Sequence, residues 1–291
     1  LCESRGLRDL AEIGEPPRRG RPVSDPRASS DLLSHLLDLS TPDHALPGDY
    51  AGHMLYEAVV YRWLCYPAGA VQCVLRVGHP RDLVLPHLRA MVLAAALPPS
   101  LDRILELGTG GGGLLRFFAA KRPRASITSV DDDPRMQHIA AQHFGLPSTA
   151  RLLCMDGLTY LSRKREPRDL ILVDLFRGRT PPPALADAGT LATLRDRLAP
   201  GGAVAMNTLP PSRAALVDLL ESVRGIFAGV GVISFPSQGN VVLVLRSETL
   251  PDREHWQAQL DRAGLDPGIK VASLFSHAAG AVQYLSLEFQ S

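Results

Sequence analysis

The chain has 291 residues, of which 45% are apolar and 21% charged, and its formal charge is +1. That is long enough to bury a sizeable core, and the balance excludes a disordered, fibrous or strongly basic chain, so charge does not indicate a nucleic-acid partner. Cys2, Cys65, Cys73 and Cys154 have neither metal-ligand spacing nor the density of a disulfide framework, and the nine histidines show no HExxH pattern; no metal is expected, and reduced thiols in a cytoplasmic protein are the default.

In chain order, residues 1–30, with PPRRGRP and SDPRASS, read as a mobile arm or linker. The first residue is Leu1, so the lack of a targeting segment in this stretch carries no weight. DLLSHLLDL, 31–39, places Leu at helical spacing and predicts a short amphipathic helix. Residues 53–77 change to β-branched and aromatic types broken by Pro67, Gly69 and Gly78, which predicts a hairpin of two or three strands. The apolar stretch 83–97 is interrupted by Pro86, His87 and Arg89 and is shorter than the about 20 residues that cross a bilayer. It predicts a buried helix, and no membrane association is expected.

The next stretch organises the rest. Ile104, Leu105 and Leu107 form the apolar run of a central parallel strand, which stops at Gly108 and Gly110–Gly113. Leu114, Leu115, Phe117 and Phe118 then recur at helical spacing, so a glycine turn opens a helix whose first N–H groups face the sheet edge. Gly108, Gly110 and Gly113 satisfy G-x-G-x-x-G, weak evidence by itself for a dinucleotide. Glu106, two residues before the first glycine, is expected to face the ligand and suits a cation better than a pyrophosphate. S-adenosylmethionine and its decarboxylated form carry a sulfonium and an amine and no phosphate.

Strand 125–130 ends in Asp131, at the spacing of a carboxylate that takes ribose hydroxyls, with Asp132 beside it. Strand 151–155 ends in Asp156-Gly157, placed to accept from an adenine amino group, and strand 169–173 ends in Asp174. Helices are predicted at 114–121, 134–144 and 158–163, where Lys164 and Arg165 read as a solvated helix end; alternation of strand and helix implies a parallel sheet with right-handed crossovers. The loop 175–183 should lie over the C-terminal sheet edge. A helix at 184–198, Pro200-Gly201-Gly202, a strand at 203–209, a helix at 212–227, a hairpin of 230–235 with 241–245 and a helix at 252–263 follow. Residues 267–291 give no clear reading.

ILELGTGGGG, VDDDP, MDGLTYL, DLILVD and LAPGGAVAMN, in that order across about 56–245, resemble the spermidine synthase (polyamine aminopropyltransferase) family within the S-adenosylmethionine-dependent methyltransferase superfamily. The resemblance implies an α/β, Rossmann-like methyltransferase fold: a mostly parallel sheet with helices on both faces, closed by an antiparallel hairpin and preceded by a small antiparallel β domain. The expected organisation is an arm at 1–30, a small domain at 31–82 and a ligand-binding domain at 83–291, with a homodimer as the expected assembly. It also implies a transferase using S-adenosylmethionine or its decarboxylated form as co-substrate and a small-molecule acceptor. Glu106, Gly108, Gly110, Asp131, Asp132, Asp156, Gly157 and Asp174 are the expected cofactor-binding residues. Asp174 matches the first acid of the family's Asp-x-x-Asp motif and is the expected catalytic residue.

The family's Tyr-Gln pair falls on Tyr56-Glu57, expected to line the substrate site. Its Tyr-His-Glu cluster is absent beside Met91, with His87 a possible stand-in. The second acid of Asp-x-x-Asp falls on Arg177, a charge reversal where a polyamine would bind, and Arg177 or Arg179 could attract an acceptor carboxylate instead. Three functions remain open: an alkyl transferase whose acceptor is not a simple polyamine, which is preferred; a true aminopropyltransferase; and a non-catalytic binding module.

Overall fold

The computed structural model describes residues 30–50, 52–67, 69–163, 166–236, 238–276 and 282–289. The expected arm, Lys164 and Arg165 lie outside the described residues. After helix α1 (Ser30–Asp38), strands β1 (Met54–Glu57), β2 (Tyr61–Cys65) and β3 (Val71–Arg76) form a three-stranded antiparallel sheet. Trp63 is fully buried in it, and its indole N–H donates to Ser40 Oγ at 3.0 Å, which ties the segment after α1 to this sheet.

The large sheet, nine-stranded among the described residues, is built from β4 (Arg103–Leu107), β5 (Ser126–Asp131), β6 (Arg151–Cys154), β7 (Arg168–Val173), β8 (Leu198–Thr208), β9 (Gly229–Phe235), β10 (Asn240–Arg246), β11 (Ile269–Ser276) and β12 (Val282–Phe289). Its order is β11-β12-β9-β10-β8-β7-β4-β5-β6. From β8 through β6 the neighbours are parallel, and β10 runs antiparallel to both β8 and β9. The central strand β7 is buried along its whole length, as a strand covered on both faces must be.

Helices α2 (Pro86–Met91), α3 (Gly113–Lys121) and α8 (Arg253–Arg262) close one apolar layer; α5 (Gly157–Arg163), α6 (Ala188–Asp196) and α7 (Arg213–Arg224) close the other. Each Leu or Phe sealed in these layers contributes roughly 1.5–3 kcal/mol. Helix α4 (Pro134–His143) starts with Pro134, where the missing N–H costs little, and Asp133 caps it by accepting from Arg135 N. Ser212 and Asp252 cap α7 and α8 in the same way.

Three expectations need correction. The helix expected over 83–97 is α2 followed by a 3₁₀ turn at Val92–Ala96, where the Leu93 carbonyl accepts from the indole N–H of Trp256 on α8 at 2.9 Å. The helix expected over 184–198 is a 3₁₀ turn at Pro183–Ala186 followed by α6, because Asp187 is extended and Pro182-Pro183 delays the start. β8 begins at Leu198 and runs through Pro200-Gly201-Gly202. The unread terminal stretch forms β11 and β12, which extend the large sheet, β12 parallel to β9. A register shift between Val271 and Ser273 breaks the alternation that would have marked β11 in the sequence.

The small sheet sits on the glycine turn. A Cβ placed on Gly111 would meet Cys73 Sγ of β3 at 2.5 Å, and Arg62 of β2 donates to His143 O at 2.6 Å. This contact sets one wall of the cavity described next.

Candidate active site

A cavity of about 800 Å³ opens between the C-terminal edge of the large sheet and the small sheet. It is bounded by the glycine turn, the ends of β5, β6, β7 and β8, the loop after β7, Gln72 of β3, and His53 and Tyr66, which flank β1 and β2. This is where an open α/β sheet binds ligands, because strand ends and helix N-termini leave backbone groups to be satisfied there.

Gly108 is what allows β4 and β7 to end side by side. Its φ is +92°, and any Cβ would overlap the carbonyl oxygen of Asp174. Asp174 N donates to Leu107 O at 2.8 Å, so the first glycine and the last acid share one corner. The turn is held from beneath by Arg116, which is buried and donates to Gly111 O and to Pro80 O; burial pulls its guanidinium down to about 10.

Asp131 lines the cavity and anchors the turn. Its Oδ2 accepts from Thr109 N at 2.9 Å and Gly110 N at 3.1 Å, and its Oδ1 from Asp133 N at 3.0 Å. A carboxylate offers about four acceptor positions, so a ribose hydroxyl finds room only on what these three leave. Burial raises the Asp131 carboxyl, against the pull of those N–H groups.

Asp156 also lines the cavity, but Oδ1 caps α5 by accepting from Thr159 N at 2.7 Å. Gly157 is the first residue of that helix, and a Cβ there would crowd the Leu175 side chain at 3.0 Å. Asp132 stands exposed at the mouth. Arg177 reaches towards both, with N–O separations of 3.9 Å to Asp132 and to Asp156. It is thus turned towards the acids at the ends of β5 and β6. Such long, exposed pairs are worth about 0–1 kcal/mol. Arg177→Ala is therefore expected to change the affinity of an adenosyl ligand by less than about fivefold, measured by calorimetry; a larger loss would mean that Arg177 contacts the ligand itself.

Three expected site residues are placed away from the cavity. Tyr56 is buried in the core of the small sheet, stacked on Trp63 with ring centroids 5.6 Å apart. Glu57 points to its strand neighbour Arg62, with which it forms an ion pair. Strand alternation explains both, since β1 pairs with β2 and neither face of β1 reaches the cleft. Glu106 lies beneath the glycine turn, 2% exposed, and accepts from Ser129 Oγ at 2.6 Å; Ser129 in turn meets Thr109 Oγ1 at 2.7 Å. Burial pushes the Glu106 carboxyl up to about 8, with Ser129 opposing and Asp174 and Asp131 adding to the rise. Burial thus favours its neutral form, which exerts no pull on a cation.

A protonation consequence follows for stability. The unfolded chain ionises Glu106 above about pH 4.5 while the folded chain keeps it protonated up to about 8, so this group lowers stability progressively across that interval. Glu106→Gln keeps an acceptor for Ser129 and removes the cost. Denaturant titrations should show no gain for the variant near pH 4 and about 1–3 kcal/mol at pH 7.5; a difference that does not vary with pH would mean that Glu106 is ionised in the folded state.

Asp174 lines the cavity, and its Oδ1 accepts from Asn207 Nδ2 at 2.8 Å. Asn207, on β8, in turn accepts on its own Oδ1 from Asn240 Nδ2 at 3.0 Å. The carboxylate is thus oriented by a two-amide relay, with one oxygen left towards the cavity. Sequence reasoning passed over both asparagines, although Asn207 ends LAPGGAVAMN, where an amide in an otherwise apolar strand was the available signal. Also passed over were Tyr66, Gln72, His53 and Gln238, all on the cavity wall. Burial pushes the Tyr66 hydroxyl up to about 12, with Cys73, Asp174 and Asp131 adding to this and Arg179 opposing, so it stays a hydrogen-bond donor. His87 lies on the wall as well; burial draws its imidazole below the usual range, against the influence of Asp174 and Gln238.

Among the described residues no group of three or more His, Cys, Asp or Glu side chains could hold a metal, and no helix is long and apolar enough to cross a membrane.

No family model matches the chain. It is 30% identical over 183 residues to the polyamine aminopropyltransferase of Neisseria meningitidis, covering 60% of this chain and 68% of that protein. The polyamine aminopropyltransferase of Chromobacterium violaceum is 29% identical over 198 residues, 66% of this chain and 75% of the relative. The human eEF1A lysine and N-terminal methyltransferase is 26% identical over 61% of this chain, and the match spans 29% of that longer protein. Among solved structures, a probable spermidine synthase from Corynebacterium glutamicum superposes with a TM-score of 0.63 at 20% identity, covering 74% of this chain and 86% of that one. Human methyltransferase-like protein 13 in complex with SAH superposes with a TM-score of 0.54 at 24% identity, covering 62% and 92%. At these identities the superpositions establish the fold.

Proposed function

Because the chain belongs to the polyamine aminopropyltransferase (spermidine synthase) family, within the S-adenosylmethionine-dependent methyltransferase superfamily, we propose that it is a transferase that moves an alkyl group from a sulfonium to an amine acceptor other than a simple polyamine. The observation that carries this reading is the charge arrangement of the cavity: Asp174 stands alone at the β7 end, and the position that would supply a second acid to a diamine is Arg177.

Displacement at a carbon bound to a sulfonium needs little from the protein beyond alignment and a deprotonated nucleophile. The nitrogen lone pair forms the new C–N bond as the C–S bond breaks, and the electron pair stays on sulfur as a neutral thioether. The ammonium so formed loses its proton. Asp174 is suited to hold the incoming amine and to take that proton, since Asn207 fixes one oxygen and leaves the other free. The turn, Asp131 and the Asp156 region would receive the adenosyl group, and the residues present fit a ligand without phosphate: the acids on this wall would repel one.

Calorimetry with S-adenosylmethionine, decarboxylated S-adenosylmethionine and methylthioadenosine tests the proposal. Preference for the carboxylated donor supports it. Preference for the decarboxylated donor together with turnover of putrescine would support the second reading, true aminopropyl transfer, which the five carboxylates of the cavity favour. Binding of none of them would leave a non-catalytic module.

A further inference from the structure

Buried polar atoms without partners cluster on one wall of the cavity. His53 Nε2 and Gln72 Oε1 are closed off from solvent and have no hydrogen-bond partner, His87 and Gln238 are set against each other, and all four residues line the same space as Asp174. A buried polar group left unmade costs about 1–3 kcal/mol. Two such atoms, on residues that line one cavity, mark a place where a ligand supplies the missing bonds. The two glutamine oxygens are acceptors. His53 Nδ1 lies 3.1 Å from Tyr50 O and must donate there, which leaves Nε2 as an acceptor too. The wall therefore asks for a ligand rich in N–H or O–H donors.

The charges of the cavity are mostly engaged elsewhere. Asp131 is tied to three backbone N–H groups, Asp133 caps α4 and pairs with Arg135, and Asp132 and Asp156 face Arg177. Asp174 has one oxygen held by Asn207, and among the described residues no cation forms an ion pair with it. Arg179, whose charge is felt at Tyr66, adds a positive potential that opposes a second ammonium.

We propose that His53, Gln72, His87 and Gln238 form, with Asp174, the acceptor subsite, and that it takes an amine carrying a single positive charge whose remaining hydrogen-bonding groups are neutral. This deepens the transferase reading and rests on it. The ammonium sits at Asp174, and the uncharged remainder donates to the amide and imidazole wall; a diamine would bring its second charge to a wall that has no carboxylate to meet it.

The test uses the full chain saturated with S-adenosylhomocysteine or methylthioadenosine and compares 4-aminobutan-1-ol with putrescine, which has the same carbon chain and a second ammonium in place of the hydroxyl. Binding is followed by NMR titration of the histidine ring signals, with His87 assigned through His87→Gln. The unmodified protein should bind 4-aminobutan-1-ol at least as tightly as putrescine. Gln238→Glu, which adds the missing carboxylate, should improve putrescine relative to 4-aminobutan-1-ol by about tenfold, and His87→Leu should weaken 4-aminobutan-1-ol by about fivefold with adenosyl affinity retained. Tenfold tighter binding of putrescine to the unmodified protein would overturn the proposal, as would indifference of 4-aminobutan-1-ol to both His87→Leu and Gln72→Leu. An adenosyl complex that ignores both amines defeats this subsite alone; failure of both adenosyl ligands to bind defeats the transferase reading beneath it.

Discussion

Asp174→Asn is expected to lower transfer by a factor of about 10² or more while leaving adenosyl affinity within about threefold, as when a general base is lost from an otherwise intact site. The geometry sharpens this expectation. Asn207 Nδ2 donates to Asp174 Oδ1, so an amide at position 174 must turn its oxygen to Asn207 and its NH₂ to the cavity, where it meets the acceptor with a donor in place of an acceptor. The fold should not suffer, because the Asn207 bond is kept and Asp174 N still donates to Leu107 O. The measurement is single-turnover transfer of label from S-adenosylmethionine to an acceptor found by product profiling, beside calorimetry of S-adenosylhomocysteine. Asn207→Leu offers a companion: it frees the carboxylate to rotate and should give a smaller loss of turnover, because the base survives while its aim does not. Unchanged turnover in Asp174→Asn would remove Asp174 from the chemistry.

Asp131→Ala should weaken any adenosyl ligand by roughly 2–4 kcal/mol, on the order of 30-fold to 1000-fold. Two losses combine. The ligand loses a carboxylate acceptor for ribose, and Thr109 N, Gly110 N and Asp133 N lose the group that holds the glycine turn against the end of β5. Asp131→Asn separates the two, since an amide oxygen can still accept from Thr109 N and Gly110 N while the charge is gone. A variant that recovers turn order, read as thermal stability close to that of the unmodified protein, but stays weak in binding would assign the ribose contact to Asp131. Full affinity in Asp131→Ala would place the ribose elsewhere.

Residue pattern alone determined the glycine turn, the alternation of strand and helix, and the acids at the ends of β5, β6 and β7, because these are local: an apolar run, a Gly cluster and a carboxylate lie within a few positions of one another. Asp131, Asp156 and Asp174 all face the cavity as that pattern implied. Residues whose role depends on which way a side chain turns were decided only by the tertiary structure. Glu106 is one position inside the strand end, and there the alternation of side chains buries it beneath the turn against Ser129. Tyr56 and Glu57 share a strand with no access to the cleft, whereas Gln72 of β3 reaches it because Cys73 packs against Gly111 and brings that strand down onto the turn. The relay from Asn240 through Asn207 to Asp174 joins three different strands or strand ends, and His87 meets Gln238 across some 150 residues of chain. No local pattern encodes such pairings. They arise when two apolar layers close over the large sheet and the small sheet docks on its edge, bringing distant polar groups into a space too dry for them to be left without partners.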